Sequence, residues 1–101
     1  MKFITKEMIK KTPKLRSQSE SKLENLTFYY KFFTPWSNWT WYVAEADYET
    51  GECFGLVEGF EKEVGYFNLN ELQEISGPAG LTIERDLWFE PKKYPEIVRE
   101  V

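Results

Sequence analysis

The stretch KFFTPWSNWTWYVAEADYETGE, residues 31–52, decides how this chain folds. It sets two Phe, three Trp and two Tyr beside four carboxylates. Aromatic and β-branched residues suit a pleated, half-buried surface. WTWYVAE (39–45) therefore reads as a strand, TFYYKFF (27–33) as its neighbour and TPWSN (34–38) as the turn between them. Alternation sends Trp39, Trp41 and Val43 one way and Thr40, Tyr42 and Ala44 the other. On the preceding strand Phe28, Tyr30 and Phe32 share a face, opposite Tyr29, Lys31 and Phe33. Both faces are partly apolar. One must be core; the other is either covered by the N-terminal helix or left as an aromatic platform.

Working outward, DYETGE (47–52) is a turn, and CFGLVEG (53–59) and VGYFN (64–68) flank FEKE (60–63), which completes a four-strand antiparallel meander. LTIERDLWF (81–89) alternates Ile83, Arg85, Leu87 and Phe89 against Glu84, Asp86 and Trp88, the pattern of a fifth strand. Thr5 is placed as a helix N-cap, with Ile4 and Ile9 at the spacing of a hydrophobic staple, and Pro13 ends that helix. Asn68 caps a second helix, with Glu71 at the capping-box position and Phe67 and Leu72 as its staple. Gly77, as a left-handed cap, and Pro78 close it. Residues 17–26 are polar and read as a loop, and YPEIVREV (94–101) adds a last helical turn. The expected fold is α+β, one domain over 1–101. It is a curved antiparallel sheet of about five strands with two short helices packed mainly on one side.

Composition narrows the chemistry. A chain of 101 residues carries one core, and 18% of them are aromatic, enough to build it largely from rings. No apolar run is long enough to span a bilayer and no secretion signal is visible, so no membrane role is expected. One cysteine, Cys53, makes no internal disulfide, which fits a cytoplasmic setting; it reads as a small buried side chain. The sequons at Asn25 and Asn38 carry no weight without a secretion signal. The chain has no histidine, which removes Ser-His and Cys-His nucleophiles and the usual zinc sites. EADYETGE lacks the ligand spacing of an EF-hand and GPAG is no phosphate loop, so no metal or cofactor is expected.

Charge is divided along the chain. Residues 1–31 carry eight Lys/Arg and three Glu, whereas residues 45–90 carry twelve Asp/Glu against Lys62 and Arg85. The two halves attract each other in the fold or present opposite fields to partners. Candidate partner-binding residues are Trp36, as the turn ring left outside the core, and Glu45, Asp47, Glu49, Glu52, Glu61 and Glu63. Glu84, Arg85 and Asp86 form either a structural ion pair or a ligand site, Arg85 lying on the side of Ile83 and Leu87.

KFFTPWSNWTWYVAEAD, FGLVEGFEKEVGYFNLNEL and GPAGLTIERDLWF together resemble the domain-of-unknown-function 2958 family, over about residues 3–92. The resemblance implies short bacterial and phage proteins carried by plasmids, conjugative elements and prophages, and it brings no catalytic residues with it. The expected function is a non-catalytic binding protein of a mobile element or phage, acting as an acidic inhibitor or accessory factor of a host nucleic-acid-processing or defence enzyme. One alternative is single-stranded nucleic-acid binding through exposed aromatics and the basic N-terminus; Glu45, Asp47, Glu49 and Glu52 would repel a phosphate backbone there. Another is a carboxylate enzyme at Glu84–Asp86. An exposed aromatic edge would equally serve a homodimer.

Overall fold

The computed structural model describes residues 3–18 and 22–98. Its strands are β1 (Thr27–Phe28), β2 (Tyr30–Phe33), β3 (Thr40–Asp47), β4 (Glu52–Glu58), β5 (Lys62–Asn68), β6 (Glu84–Arg85) and β7 (Lys92–Lys93). Its helices are α1 (Lys6–Lys11), α2 (Leu69–Glu74) and α3 (Tyr94–Val98). The main sheet runs β5-β4-β3-β2-β6 and is antiparallel throughout, while β1 and β7 pair separately. The expected α+β fold is present, with its four-strand meander and a fifth strand beside β2. The fifth strand is shorter than the sequence suggested, because within 81–89 Glu84 and Arg85 alone pair with β2, while Thr82 bridges to Ser76 instead.

The sheet is covered on both faces. On one, Met8 of α1 and Leu69 and Leu72 of α2 pack with Phe32, Trp41, Val43, Ala46, Cys53 and Ile83. These are the two helices expected on one side. The second face is not closed by the N-terminal helix. Leu26, Phe28 and Ile97 of α3 cover Tyr42, Ala44 and Leu56 there, with Phe89 and Tyr94 against them. Tyr94 N donates to Leu26 O at 3.1 Å and ties α3 to that side.

Two local irregularities set which residues face where. The chain leaves regular strand geometry at Tyr29, so Phe28 joins the Tyr42 side rather than the side of Tyr30 and Phe32 as strict alternation required. In β3 the pairing slips between Val43↔Gly55 and Glu45↔Phe54, a β-bulge that carries Ala46 back to the Trp41 and Val43 side. The bulge also explains Gly55: a β-carbon there would lie 1.8 Å from Tyr42 O.

The caps follow the sequence more closely. Thr5 Oγ1 accepts from Met8 N at 3.2 Å, and Thr12 Oγ1 donates to Met8 O at 2.7 Å at the other end of α1. Asn68 Oδ1 accepts from Asn70 N and Glu71 N at 2.8 and 3.4 Å, and Phe67 and Leu72 pack in the same core. Ile9 does not staple its helix into the core; it is 55% exposed. Gly77 is not a left-handed cap either, since its φ is −102° and α2 already ends at Glu74, with Ile75 as its C-cap. In the expected 17–26 loop, Leu23–Asn25 form a 3-10 turn and residues 19–21 lie outside the described set. Of the expected C-terminal turn, α3 ends at Val98 and residues 99–101 lie outside it.

Two outcomes are expected. Gly55→Ala drives a methyl group into the Tyr42 carbonyl and costs about 3 kcal/mol or more in urea unfolding. Cys53 is fully buried, its thiol facing Gly51 O at 3.7 Å, and burial pushes it up from 9.0 to about 12. The folded state keeps the proton that the unfolded state releases. The thiol's contribution to stability is therefore intact below pH 9.0 and is lost as pH rises toward about 12. At pH about 8, iodoacetamide labels Cys53 only after denaturant is added.

Candidate functional site

The acidic residues singled out by the sequence do not form one surface. Glu45 is buried, 2% exposed, beside the β3 bulge. Its carboxylate accepts from Arg16 N at 2.7 Å, Gln18 N at 2.5 Å and Ser17 Oγ at 3.5 Å. Arg16 takes a left-handed φ of 68°, and the backbone N–H groups on either side of Ser17, those of Arg16 and Gln18, converge on the one carboxylate. Such a nest binds anions, and here the anion is the protein's own. Ala46 N donates to Pro13 O at 3.0 Å and completes the attachment. Glu45 therefore belongs to the scaffold and is not available to a partner. Its sequence neighbours gave no sign of this, because the nest lies 27–29 positions away.

Asp47, half-buried, shapes the next turn: its Oδ1 accepts from Glu49 N at 3.0 Å and its carbonyl from Gly51 N at 2.8 Å. Asn68 Nδ2 and Asn70 Nδ2 both donate to Thr50 O at 3.2 Å, and Leu69 N donates to Gly51 O at 2.8 Å. The turn is thus clamped to the start of α2. This leaves Glu49 exposed and Glu52 half-buried, the latter in a cleft with Tyr66, Asn68 and Glu71. Glu61 and Glu63 are exposed at the far end of the β4–β5 hairpin. There they line a cavity of about 340 Å³ with Trp39, Val57 and Phe60.

Trp36 is not the leftover ring. It is half-buried against the core, and its indole lies where a β-carbon on Gly77 would be, 2.4 Å from Cδ2. The turn holding it is fixed by Thr34, which bonds Ser37 Oγ and accepts from Trp39 N at 3.2 Å. The most exposed rings are Phe60 and Trp88, 96% and 92% accessible, with Tyr66 less so at 54%. The sequence carried a signal for the first two: Phe60 lies in the turn segment FEKE, and Trp88 alternates with the polar Glu84 and Asp86.

Glu84, Arg85 and Asp86 are divided by strand alternation. Glu84 is exposed. Arg85, paired with Phe32, lies toward α1, where its field adds a smaller downward pull on the Glu7 carboxyl to the main one from Lys11. Asp86 turns to the other side: its Oδ2 lies 3.8 Å from Lys31 Nζ and its Oδ1 accepts from Trp88 N at 2.9 Å. A cleft lined by Lys31, Phe33, Thr34 and Trp39 takes in Asp86 but neither Glu84 nor Arg85, and no metal-binding cluster of His, Cys, Asp and Glu is present among the described residues.

The fold and its outer charge define a small α+β domain whose exposed carboxylates Glu49, Glu61, Glu63, Glu71 and Glu74 sit on turns, the β5 edge and α2. No helix among the described residues is long and apolar enough to cross a membrane. The chain belongs to the family described as "Protein of unknown function (DUF2958)", whose model matches residues 3–96. No curated protein and no solved structure matches it.

Glu45→Ala would leave the Arg16 and Gln18 amides without their acceptor. The expected cost is about 2–4 kcal/mol in urea unfolding, with loss of hydrogen-exchange protection at those two amides. Glu49→Ala, on the same strand's turn but exposed, changes stability by less than about 0.5 kcal/mol.

Proposed function

We propose that the protein is a non-catalytic binding protein whose acidic edge docks on a basic surface of a partner protein. In the mobile-element setting that the family resemblance implied, the fitting partner is the nucleic-acid groove of a host processing or defence enzyme. The observation that carries this reading is the distribution of exposed charge. From Glu45 to Gly80 the only cation is Lys62, whereas Glu49, Glu61, Glu63, Glu71 and Glu74 are all exposed. They are held on a hydrogen-bonded sheet, a clamped turn and a capped helix. Carboxylates carried on such a frame keep their backbone spacing, so a phosphate-binding surface meets them without a backbone ordering cost.

The other readings have less support. Trp41 is buried and Trp36 is half-buried on the core, which leaves only Trp39 of the three hairpin tryptophans beside an open cleft. The nest in the 13–18 loop, a backbone feature suited to a phosphate, is filled by Glu45. At Glu84–Asp86, Glu84 is exposed, Asp86 is engaged by Lys31 and Trp88 N, and Arg85 lies on the side opposite both carboxylates, an arrangement that favours a structural role over an acid–base site.

Affinity capture from a host lysate tests the proposal. Capture should fall at least about tenfold between roughly 0.05 M and 0.5 M salt. It should also fall in the Glu49→Lys/Glu71→Lys/Glu74→Lys variant, whose substitutions are all exposed. Capture indifferent to both salt and charge reversal refutes it.

A further inference from the structure

The end of the β4–β5 hairpin narrows the chemistry of such a partner, provided that the acidic edge docks as proposed. Trp39, at the entry to β3, is fixed on two sides. Trp41 stacks with it at 5.9 Å and 27°, and the backbone of Gly59 lies so near that a β-carbon there would be 2.3 Å from indole Cζ3. Phe60 stands edge-on to this indole, ring centroids 5.4 Å apart and planes at 81°. A phenyl ring that is 96% exposed is unusual for so small a domain, since its burial would be worth about 1.5–3 kcal/mol. The turn holds it out of the core and against an indole that borders an open cleft.

The two rings and Val57 form the walls of the 340 Å³ cavity, and the remaining lining residues are Glu61 and Glu63. No cation lines it. Glu63 pairs with Val57 and shares its side, whereas Lys62 pairs with Glu58 and is directed to the opposite side by alternation. Each possible occupant can be weighed against this lining. An anion would be repelled by the carboxylates, and a purely apolar group would desolvate them without compensation. A cation gains from the aromatic rings and from the carboxylates together. A guanidinium does so best, because it is planar, stacks on an indole and offers forked donors to carboxylate oxygens.

We propose that Trp39, Phe60, Val57, Glu61 and Glu63 form a socket for an arginine side chain presented by the basic surface of the partner. The acidic edge steers the approach, and the socket fixes the register.

The test uses the intact protein and defined probes, with the indole N–H resonance of Trp39 followed by NMR. N-acetyl-arginine-amide should shift that resonance saturably, with a dissociation constant on the order of 10 mM, as expected of one cation–π contact aided by carboxylates. The neutral isostere N-acetyl-citrulline-amide should not. Phe60→Ala should weaken arginine binding at least about fivefold, and Glu61→Gln/Glu63→Gln comparably. Phe60 is almost wholly exposed, so its truncation leaves the fold intact. An equal shift with the citrulline probe, or unchanged affinity in Phe60→Ala, overturns the socket. Phe60→Ala removes no charge, which separates the two proposals. Partner capture that is salt-sensitive yet indifferent to Phe60→Ala refutes the socket and leaves charge docking in place. Arginine binding that survives while capture ignores salt refutes the docking reading alone.

Discussion

A sheet that is apolar on both faces must be covered on both, and a chain of 101 residues has little to cover it with. Here α1 and α2 close one face and α3, Leu26 and Phe89 close the other. None of the three helices exceeds six residues, too short to be stable alone in water. Each is held by its packing: Met8 for α1, Leu69 and Leu72 for α2, Ile97 for α3. The rings are therefore committed to the fold before any is available for recognition. This is why a domain so rich in aromatics exposes so few of them.

The buried Glu45 carboxylate fits the same constraint. It joins the bulged centre of β3 to the loop that follows α1, so hydrogen bonds anchor that loop to the sheet. Burying a carboxylate is unfavourable unless its oxygens are satisfied. Backbone amides do this without adding a second charge. The anion-binding potential of the nest is consumed internally, and with it the most direct route by which this chain could hold a phosphate.

Much of the fold was legible from local pattern. The strand alternation of 39–45 and 53–59, the Asn68 cap and the Phe67–Leu72 staple all depend on residues within a few positions of one another. The features that local pattern missed depend on distant partners. Phe28 changes face because the chain breaks at Tyr29, and Glu45 is buried because the bulge and the 13–18 loop meet over it. Trp36 sits in a turn and so looked spare, yet Gly77, far along the chain, leaves it a seat on the core. The acidic character of the middle of the chain was plain, but which carboxylates reach solvent was not. Asp47 goes to the turn and Glu45 to the nest, which leaves Glu49, Glu61 and Glu63 of the expected set exposed.

That sorting separates two kinds of negative charge that composition cannot distinguish. Carboxylates bound to backbone amides are satisfied already and contribute to order; exposed ones project a field and keep their capacity to accept. Glu61, Glu63, Glu71 and Glu74, of the second kind, lie around the β5 edge and α2, and Phe60 stands beside the first two. Charge alone attracts many basic surfaces with little discrimination, and salt screens it readily. An aromatic wall beside the charge changes the balance, because contact with a ring requires the approaching cation to be placed and desolvated. Selectivity among basic partners then depends on whether one of them offers a side chain at the right position. A domain this small can carry that discrimination on two rings and two carboxylates, since neither the helices nor the core has to move to present them.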